Sequence, residues 1–298
     1  MPNPLRKSLE SGHFAFTAEL TPPRGADFDA LTVAAKILKP VVSAVNVTDG
    51  AGARVRLSSL AASIHLKQMG VEPIMQVTCR DRNKIAIQSD LLGAAAFGVS
   101  NILVLSGDGV VVGDEPDAKA VFDFDSRSLL AALRTMTDEG KTVSGSELST
   151  SPNFFAGAAD SPHDPKPDWV PDALQAKVAA GARFIQTQYC FDMDVLSRYM
   201  QRLVDNGLTD KCYFLVGLGP LRSAKAAIWM RDKLFGTIMP EGIIRRMDAA
   251  RDPRTEGTRI CAEMIQQARE INGVAGVHLM APGMHQEMAD AIELAGMT

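Results

Sequence analysis

Short apolar runs alternate along the chain with longer stretches that carry a helical stripe. Phe14-Ala-Phe-Thr-Ala-Glu-Leu20 alternates apolar and polar positions and stops at the turn signal Thr21-Pro-Pro-Arg-Gly25. A helix capped by Asp27 is predicted next, with Phe28, Leu31, Ala35 and Leu38 on one stripe and Pro40 ending it. Ala44-Val-Asn-Val47 reads as the second strand, and a helix from Ser58 to Met69, closed by Gly70, follows it. Pro73-Ile-Met-Gln-Val-Thr78 is the third strand, before a helix from Arg82 to Phe97. Asn101-Ile-Leu-Val-Leu105 is the fourth, the continuous apolar run of a strand covered on both faces. A long loop, Ser106 to Asp125, then precedes a helix from Ser126 to Met136. The fifth strand has the weakest signal and is placed at Asn153-Phe-Phe-Ala-Gly157. A helix from Val170 to Ala180 leads to strand six, Phe184 to Gln188, and strands seven and eight fall at Tyr213–Val216 and Gly276–Leu279. Helices are predicted over Val195–Asn206, Ser223–Lys233, Thr255–Ile271 and Met284–Ala295.

Eight strand–helix units without an internal linker predict an α/β chain of one domain, residues 1–298, closed as a (β/α)₈ TIM barrel. A doubly wound open sheet is the structural alternative. It would need a glycine fingerprint after strand one, and Thr21-Pro-Pro-Arg-Gly25 is not one.

Composition narrows the function classes. The 31 basic and 35 acidic residues give a net charge of −4 and are spread along the chain, which argues against nucleic acid as a partner. No run is long and apolar enough to span a bilayer, and Met1-Pro-Asn-Pro-Leu-Arg-Lys7 leads into polar sequence rather than a signal-peptide core, so a cytoplasmic location is expected. Cys79, Cys190, Cys212 and Cys261 form no C-x-x-C pair and read as reduced, structural thiols. The five histidines lack zinc-site spacing, so no metal is expected.

In such barrels chemistry sits at the C-terminal strand ends. Those ends carry Glu19, Asn46, Thr48-Asp49, Gln76, Thr78, Ser106-Gly-Asp108, Gln186, Gln188, Gly217-Leu-Gly-Pro220 and His278. The predicted rim is rich in carboxylates and amides and poor in positive charge. Two carboxylates in a partly dry mouth can have their pKa values pushed apart, leaving one as acid and the other as anion. Glu19 is either such a group or a strand-end carboxylate paired with Arg24 or another surface cation; Asp108 is either the anion or a turn cap after Gly107. No strand-end lysine suits Schiff-base chemistry, and no nucleophile elbow is present.

Phe16-Thr-Ala-Glu-Leu-Thr-Pro-Pro-Arg24 resembles the opening of the methylenetetrahydrofolate reductase barrel. The likeness continues in order through Asn46-Val-Thr-Asp-Gly50, Gln76-Val-Thr-Cys79, Leu105-Ser-Gly-Asp108, Ile185-Gln-Thr-Gln-Tyr-Cys-Phe-Asp192 and Gly217-Leu-Gly-Pro220, and is nearest to the short bacterial members that consist of the catalytic barrel. The resemblance implies an NAD(P)H oxidoreductase that converts methylenetetrahydrofolate to methyltetrahydrofolate through bound FAD, in a barrel that often self-associates. It makes Glu19 the proton donor, Asp108 the anion beside the folate cation, and Gln188 a substrate contact. Thr48, Gln76, Ser106, Gly107, Asp108 and Lys177 become the flavin-facing positions.

The departures from the family pattern fall in the flavin site. Ser106 stands where the family has arginine, Gln76 where it has histidine, and Ala176 where it has a second basic residue. The fifth-strand segment is replaced by Phe154-Phe-Ala-Gly-Ala-Ala-Asp-Ser-Pro162. Arg54, Arg56, Arg80 and Arg82 are either substitutes for the lost charge or solvated loop cations. Three readings therefore stay open: a flavin-dependent reductase, direct hydride transfer from NADH without flavin, and a non-catalytic folate-binding subunit.

Overall fold

The computed structural model describes residues 3–296. Met1 and Pro2, part of the segment read for a leader, lie outside them. Strands β1 (Ala15–Leu20), β2 (Ala44–Val47), β3 (Pro73–Thr78), β4 (Asn101–Leu105), β5 (Phe155–Asp160), β6 (Phe184–Tyr189), β7 (Tyr213–Leu218) and β8 (Val274–Leu279) pair in sequence order. Every pair is parallel, and β8 closes on β1 with Thr17 opposite His278. The expected (β/α)₈ barrel is the observed one. Its helices are α1 (Pro4–Glu10), α2 (Asp29–Leu38), α3 (Ser59–Gln68), α4 (Lys84–Ala96), α5 (Ser126–Arg134), α6 (Asp172–Ala180), α7 (Met193–Asp205), α8 (Ala224–Lys233), α9 (Glu241–Asp248), α10 (Pro253–Glu270) and α11 (His285–Leu294). Among the described residues no helix is long and apolar enough to cross a membrane.

Two apolar clusters result from the two-residue period of the strands. Outward positions such as Val45, Met75, Ile185 and Val277 join the helices in the larger cluster. Inward positions of the lower barrel, Ala15, Ala44, Ile74, Leu103, Phe155, Phe184 and Leu215, form the smaller one, and Leu5 and Leu9 of α1 close it from below. The Phe155 and Phe184 rings stack at 5.4 Å inside the barrel. An ideal Cβ on Gly157 would stand 2.3 Å from the Phe184 ring, so only glycine leaves that ring its place.

Several boundaries differ from expectation. Strand β5 starts two residues later than Asn153 and runs on to Asp160, because small Gly-Ala-Ala positions fit beside Phe184 despite weak strand propensity. Asp27 is not the N-cap of α2; Phe28 occupies that position, while Asp27 Oδ1 still accepts from the Asp29 N–H at 3.2 Å. The helix after Asp125 gives way at Thr135 to a wider turn through Glu139. Helices α1 and α9 were not foreseen, although Asn3 capping Arg6 N with Pro4 at the first position is a start signal for α1. At seven and eight residues, neither shows a stripe long enough to be seen as periodicity.

Candidate active site

The C-terminal mouth of the barrel opens into two connected lobes. The larger, ≈720 Å³, is lined from β1, β3, β4, β5, β6, β8 and α6 and is here the polar lobe, because it holds the carboxylates and amides among apolar neighbours; the smaller, ≈500 Å³, is apolar and lies between the loops after β7 and β8 and helix α8. Both are lined by Glu19, Gln188 and Met280, so the lobes meet at the end of β1.

Thr17 and Glu19 face inward on β1 because they are two residues apart. Glu19 sits at the floor of this junction with only partial access to water, and burial pushes its carboxyl up to about 7. Its one hydrogen-bond partner among the described residues, Gln76 Nε2 at 3.5 Å, is too distant to offset that effect. Arg24 does not pair with it, being engaged by Asp114 at 2.7 Å. The strand-end ion-pair reading of Glu19 is thereby corrected: the group is an acid poised near neutrality.

One layer below, an amide strut crosses the lumen. Asn46 Nδ2 donates to Gln186 Oε1 at 2.5 Å, and Gln186 Nε2 donates back to Asn46 Oδ1 at 3.0 Å. Gln186 also reaches Thr17 Oγ1 at 3.1 Å, which lies 3.0 Å from His278 Nδ1. Burial drives His278 down to about 3, so the ring is neutral at any physiological pH. Asn46, Gln186 and His278 were expected on the rim; they are buried in the barrel, though Gln186 and His278 still form the floor of the polar lobe.

Asp108 lines the polar lobe from the loop after β4. Gly107 has φ +92°, and a Cβ there would stand 3.0 Å from the Arg80 side chain, so glycine is required for the turn. Asp108 Oδ2 accepts from the Gly52 N–H at 2.8 Å, which ties this loop to the one after β2. The carboxylate thus serves both a turn and the cavity.

The arginines expected as solvated loop cations are partly otherwise. Arg80 is buried, bonded to Asp81 at 2.6 Å and to the Asp108 and Gly50 carbonyls. Arg82 bridges Asp49 and Asp90, and Arg56 donates to the Pro22 carbonyl. Asp49 is in turn held by Thr78 N at 2.8 Å.

Of the positions expected to face a flavin, Gln76, Asp108 and Lys177 line the polar lobe, whereas Thr48, Ser106 and Gly107 do not. Thr48 Oγ1 is buried without a partner among the described residues, Ser106 is exposed and does not line the cavity, and Lys177 Nζ is already committed to the Ala159 carbonyl at 2.7 Å and to Asp160 at 3.6 Å. Four carboxylates, Glu19, Asp108, Asp160 and Asp172, share that lining with Lys177 as its one Lys or Arg. The lining therefore offers no uncommitted Lys or Arg to the diphosphate of a resident flavin dinucleotide, the kind of charge-assisted donor such a group favours.

Gln188 spends its amide on backbone, donating to Phe235 O at 3.2 Å and accepting from Tyr189 N at 2.9 Å. Several lining residues escaped sequence reasoning, among them Asp160, Arg222 and Trp229. Asp160 entered with the three extra residues of β5, where it accepts from Tyr199 and neighbours Lys177. Arg222 and Trp229 line the apolar lobe, just beyond the Gly217-Leu-Gly-Pro220 strand end that did give a signal. The cysteines are buried as expected, with Cys79 pushed up to about 11 and Cys190 and Cys212 to about 12 by burial, which leaves them unreactive thiols.

The family model for methylenetetrahydrofolate reductase matches residues 4–295. The chain belongs to this family. Among methylenetetrahydrofolate reductase relatives, a probable NADPH enzyme of Caenorhabditis elegans is 24% identical over 249 residues, 80% of this chain and 34% of its own length. Methylenetetrahydrofolate reductase 1 of Schizosaccharomyces pombe is 24% identical over 262 residues, 85% of this chain and 40% of its own. The chain therefore spans about a third to two fifths of these relatives. A solved structure from Clostridium thermocellum, described as binding two copies of 5-methyl-5,6,7,8-tetrahydrofolic acid, superposes with TM-score 0.62 at 11% identity, covering 98% of this chain and 97% of that one. An F420-dependent secondary alcohol dehydrogenase gives the same TM-score, 0.62, and 11% identity, covering 95% and 98%. At those identities the likeness concerns the barrel alone.

Proposed function

We propose that this chain reduces 5,10-methylenetetrahydrofolate to 5-methyltetrahydrofolate with hydride from NADH or NADPH. The observation that carries the reading is the Glu19 carboxyl, raised to about 7 at the junction of two lobes. A carboxyl still protonated near neutral pH can deliver its proton to the N10 amine of the substrate's five-membered ring. The bond from the methylene carbon to N10 then breaks, leaving an iminium cation at N5 that accepts hydride and becomes the methyl group. Asp108, on the wall of the polar lobe, is the anion beside that cation. Gln76 orients Glu19, and Gln186 and His278 supply neutral hydrogen-bonding groups under the heterocycle. Family membership supports the substrate, and the polar lobe suits a pterin whose N–H groups need carboxylate and amide acceptors.

Two routes bring the hydride. The family resemblance implies FAD as carrier, with NADH or NADPH reducing it first. The lining of the polar lobe favours direct transfer instead, since a co-substrate that comes and goes needs no buried cradle for its phosphates, whereas a resident flavin does. The absorbance spectrum of freshly purified protein from about 300 to 550 nm separates them. We expect no flavin bands and turnover of methylenetetrahydrofolate with nicotinamide alone. Flavin bands bleached by NADH and restored by methylenetetrahydrofolate would establish the FAD route.

Asp108→Asn keeps the size of the side chain and its acceptor for Gly52 N but removes the charge. It is expected to slow folate reduction by about 10- to 100-fold with little change in KM, read by steady-state kinetics. An unchanged kcat would leave Asp108 with the turn alone.

A further inference from the structure

A cavity of ≈340 Å³ lies at the end of the barrel opposite the mouth, under the first residues of β5 and β6 and beside the last turns of α5 and α6. Arg6, Arg134 and Arg183 line it, in a chain whose net charge is −4. Arg6 is paired with Glu10 at 2.8 Å and stands over the Phe155 ring at 5.8 Å. Arg134 donates Nη1 to the Ala179 carbonyl at 2.7 Å, which closes the end of α6. The Arg183 guanidinium has no hydrogen-bond or ion-pair partner among the described residues. Asp138 lines the same cavity, and its carboxylate likewise has no partner among them. Asp138 follows Arg134 by four residues, a spacing that pairs opposite charges on an α-helix. The wider turn Thr135–Glu139 breaks that register, and the two form no ion pair.

We propose that this cavity binds a small amphoteric molecule, an α-amino acid with an apolar side chain. Its carboxylate meets Arg183, its ammonium meets Asp138, and its side chain covers the apolar wall of Leu133, Phe154 and Val178. The volume suits such a ligand, being at the small end of the range of ligand sites. Single unpaired charges are ordinary on an open surface. Two of opposite sign that line one cavity without meeting leave it complementary to a ligand that carries both. A plain anion fits less well: phosphate would gain the guanidinium groups but also face Asp138 and the negative carbonyl end of α6. The cavity shares no lining residue with either lobe of the mouth, so its occupant is independent of the reduction proposed above.

Titration calorimetry of the full chain compares leucine with its two halves, isocaproate, which lacks the amine, and isopentylamine, which lacks the carboxylate. Leucine is expected to bind, and each half to bind at least about tenfold more weakly, because one charge-assisted contact is missing. Arg183→Met and Asp138→Asn should each weaken leucine about tenfold, whereas Arg183→Lys, which keeps the charge, should retain most of the affinity. Arg183 and Asp138 are exposed, so these changes leave the core intact.

No binding of leucine, methionine or phenylalanine up to about 10 mM would overturn the proposal. Isocaproate binding as tightly as leucine, or inorganic phosphate binding more tightly, would overturn it too, since either result makes this an anion site. Leucine affinity unaltered in either Arg183→Met or Asp138→Asn would have the same consequence. The readout is binding alone, so it decides the matter whether or not the chain turns over methylenetetrahydrofolate.

Discussion

Glu19→Gln is expected to lower folate-dependent kcat by about 10²- to 10⁴-fold while making the protein more stable above neutral pH. The two effects share one cause. The folded chain holds the Glu19 proton up to about 7, against 4.5 for the free side chain. Folding therefore favours the protonated form, and the associated stability is fully present below about pH 4.5 and lost as pH rises through about 7. The full difference corresponds to about 3 kcal/mol; the water that still reaches the carboxyl reduces the expected value to about 2 kcal/mol.

Glutamine carries no such burden. Denaturant unfolding should show the variant about 2 kcal/mol more stable than the unaltered protein at pH 8 and no different at pH 4. Rates should agree: kcat/KM of the unaltered protein falls as pH rises above about 7, and the residual rate of the variant does not follow that curve. A variant that loses activity and stability together at pH 8 would make Glu19 a structural residue.

Gln186→Leu should destabilise the barrel by about 3–5 kcal/mol. Asn46 and Gln186 are buried, and each satisfies both ends of the other's amide. Removing one partner strands the oxygen and nitrogen of the other in the lumen, at about 1–3 kcal/mol apiece, and removes the donor to Thr17 Oγ1. The double variant Asn46→Leu, Gln186→Leu should recover more than half of the loss, because no amide is left unpaired. Urea unfolding of the unaltered protein, the single variants Gln186→Leu and Asn46→Leu, and the double variant measures the coupling directly. A cost below about 1 kcal/mol for the single change would mean that water from the mouth reaches the strut and replaces the lost bonds.

Much of the fold was legible in order of residues. Alternation at Ala15, Thr17 and Glu19 and the apolar run Asn101–Leu105 placed strands because period and burial are written in the side chains themselves. The strand-end motifs likewise indicated Glu19, Asp108 and Gln188 as lining residues, and all three line the cavity. The Gly-Ala-Ala stretch of β5 was misread because its strand character comes from the Phe184 ring on the neighbouring strand, which no local window contains.

The same division separates residue type from residue state. By itself the sequence determined that eight parallel units close a barrel whose mouth carries carboxylates and amides. Only the tertiary structure decided that Asn46 and Gln186 consume each other, that Arg80 and Arg82 are spent on neighbouring carboxylates, and that Glu19 lies where two lobes meet with Gln76 as its hydrogen-bond partner and Arg24 engaged elsewhere. Periodicity is local and survives in the order of residues. Ionisation and hydrogen-bond pairing depend on groups brought together from strands far apart in the chain, and on the water that barrel closure excludes.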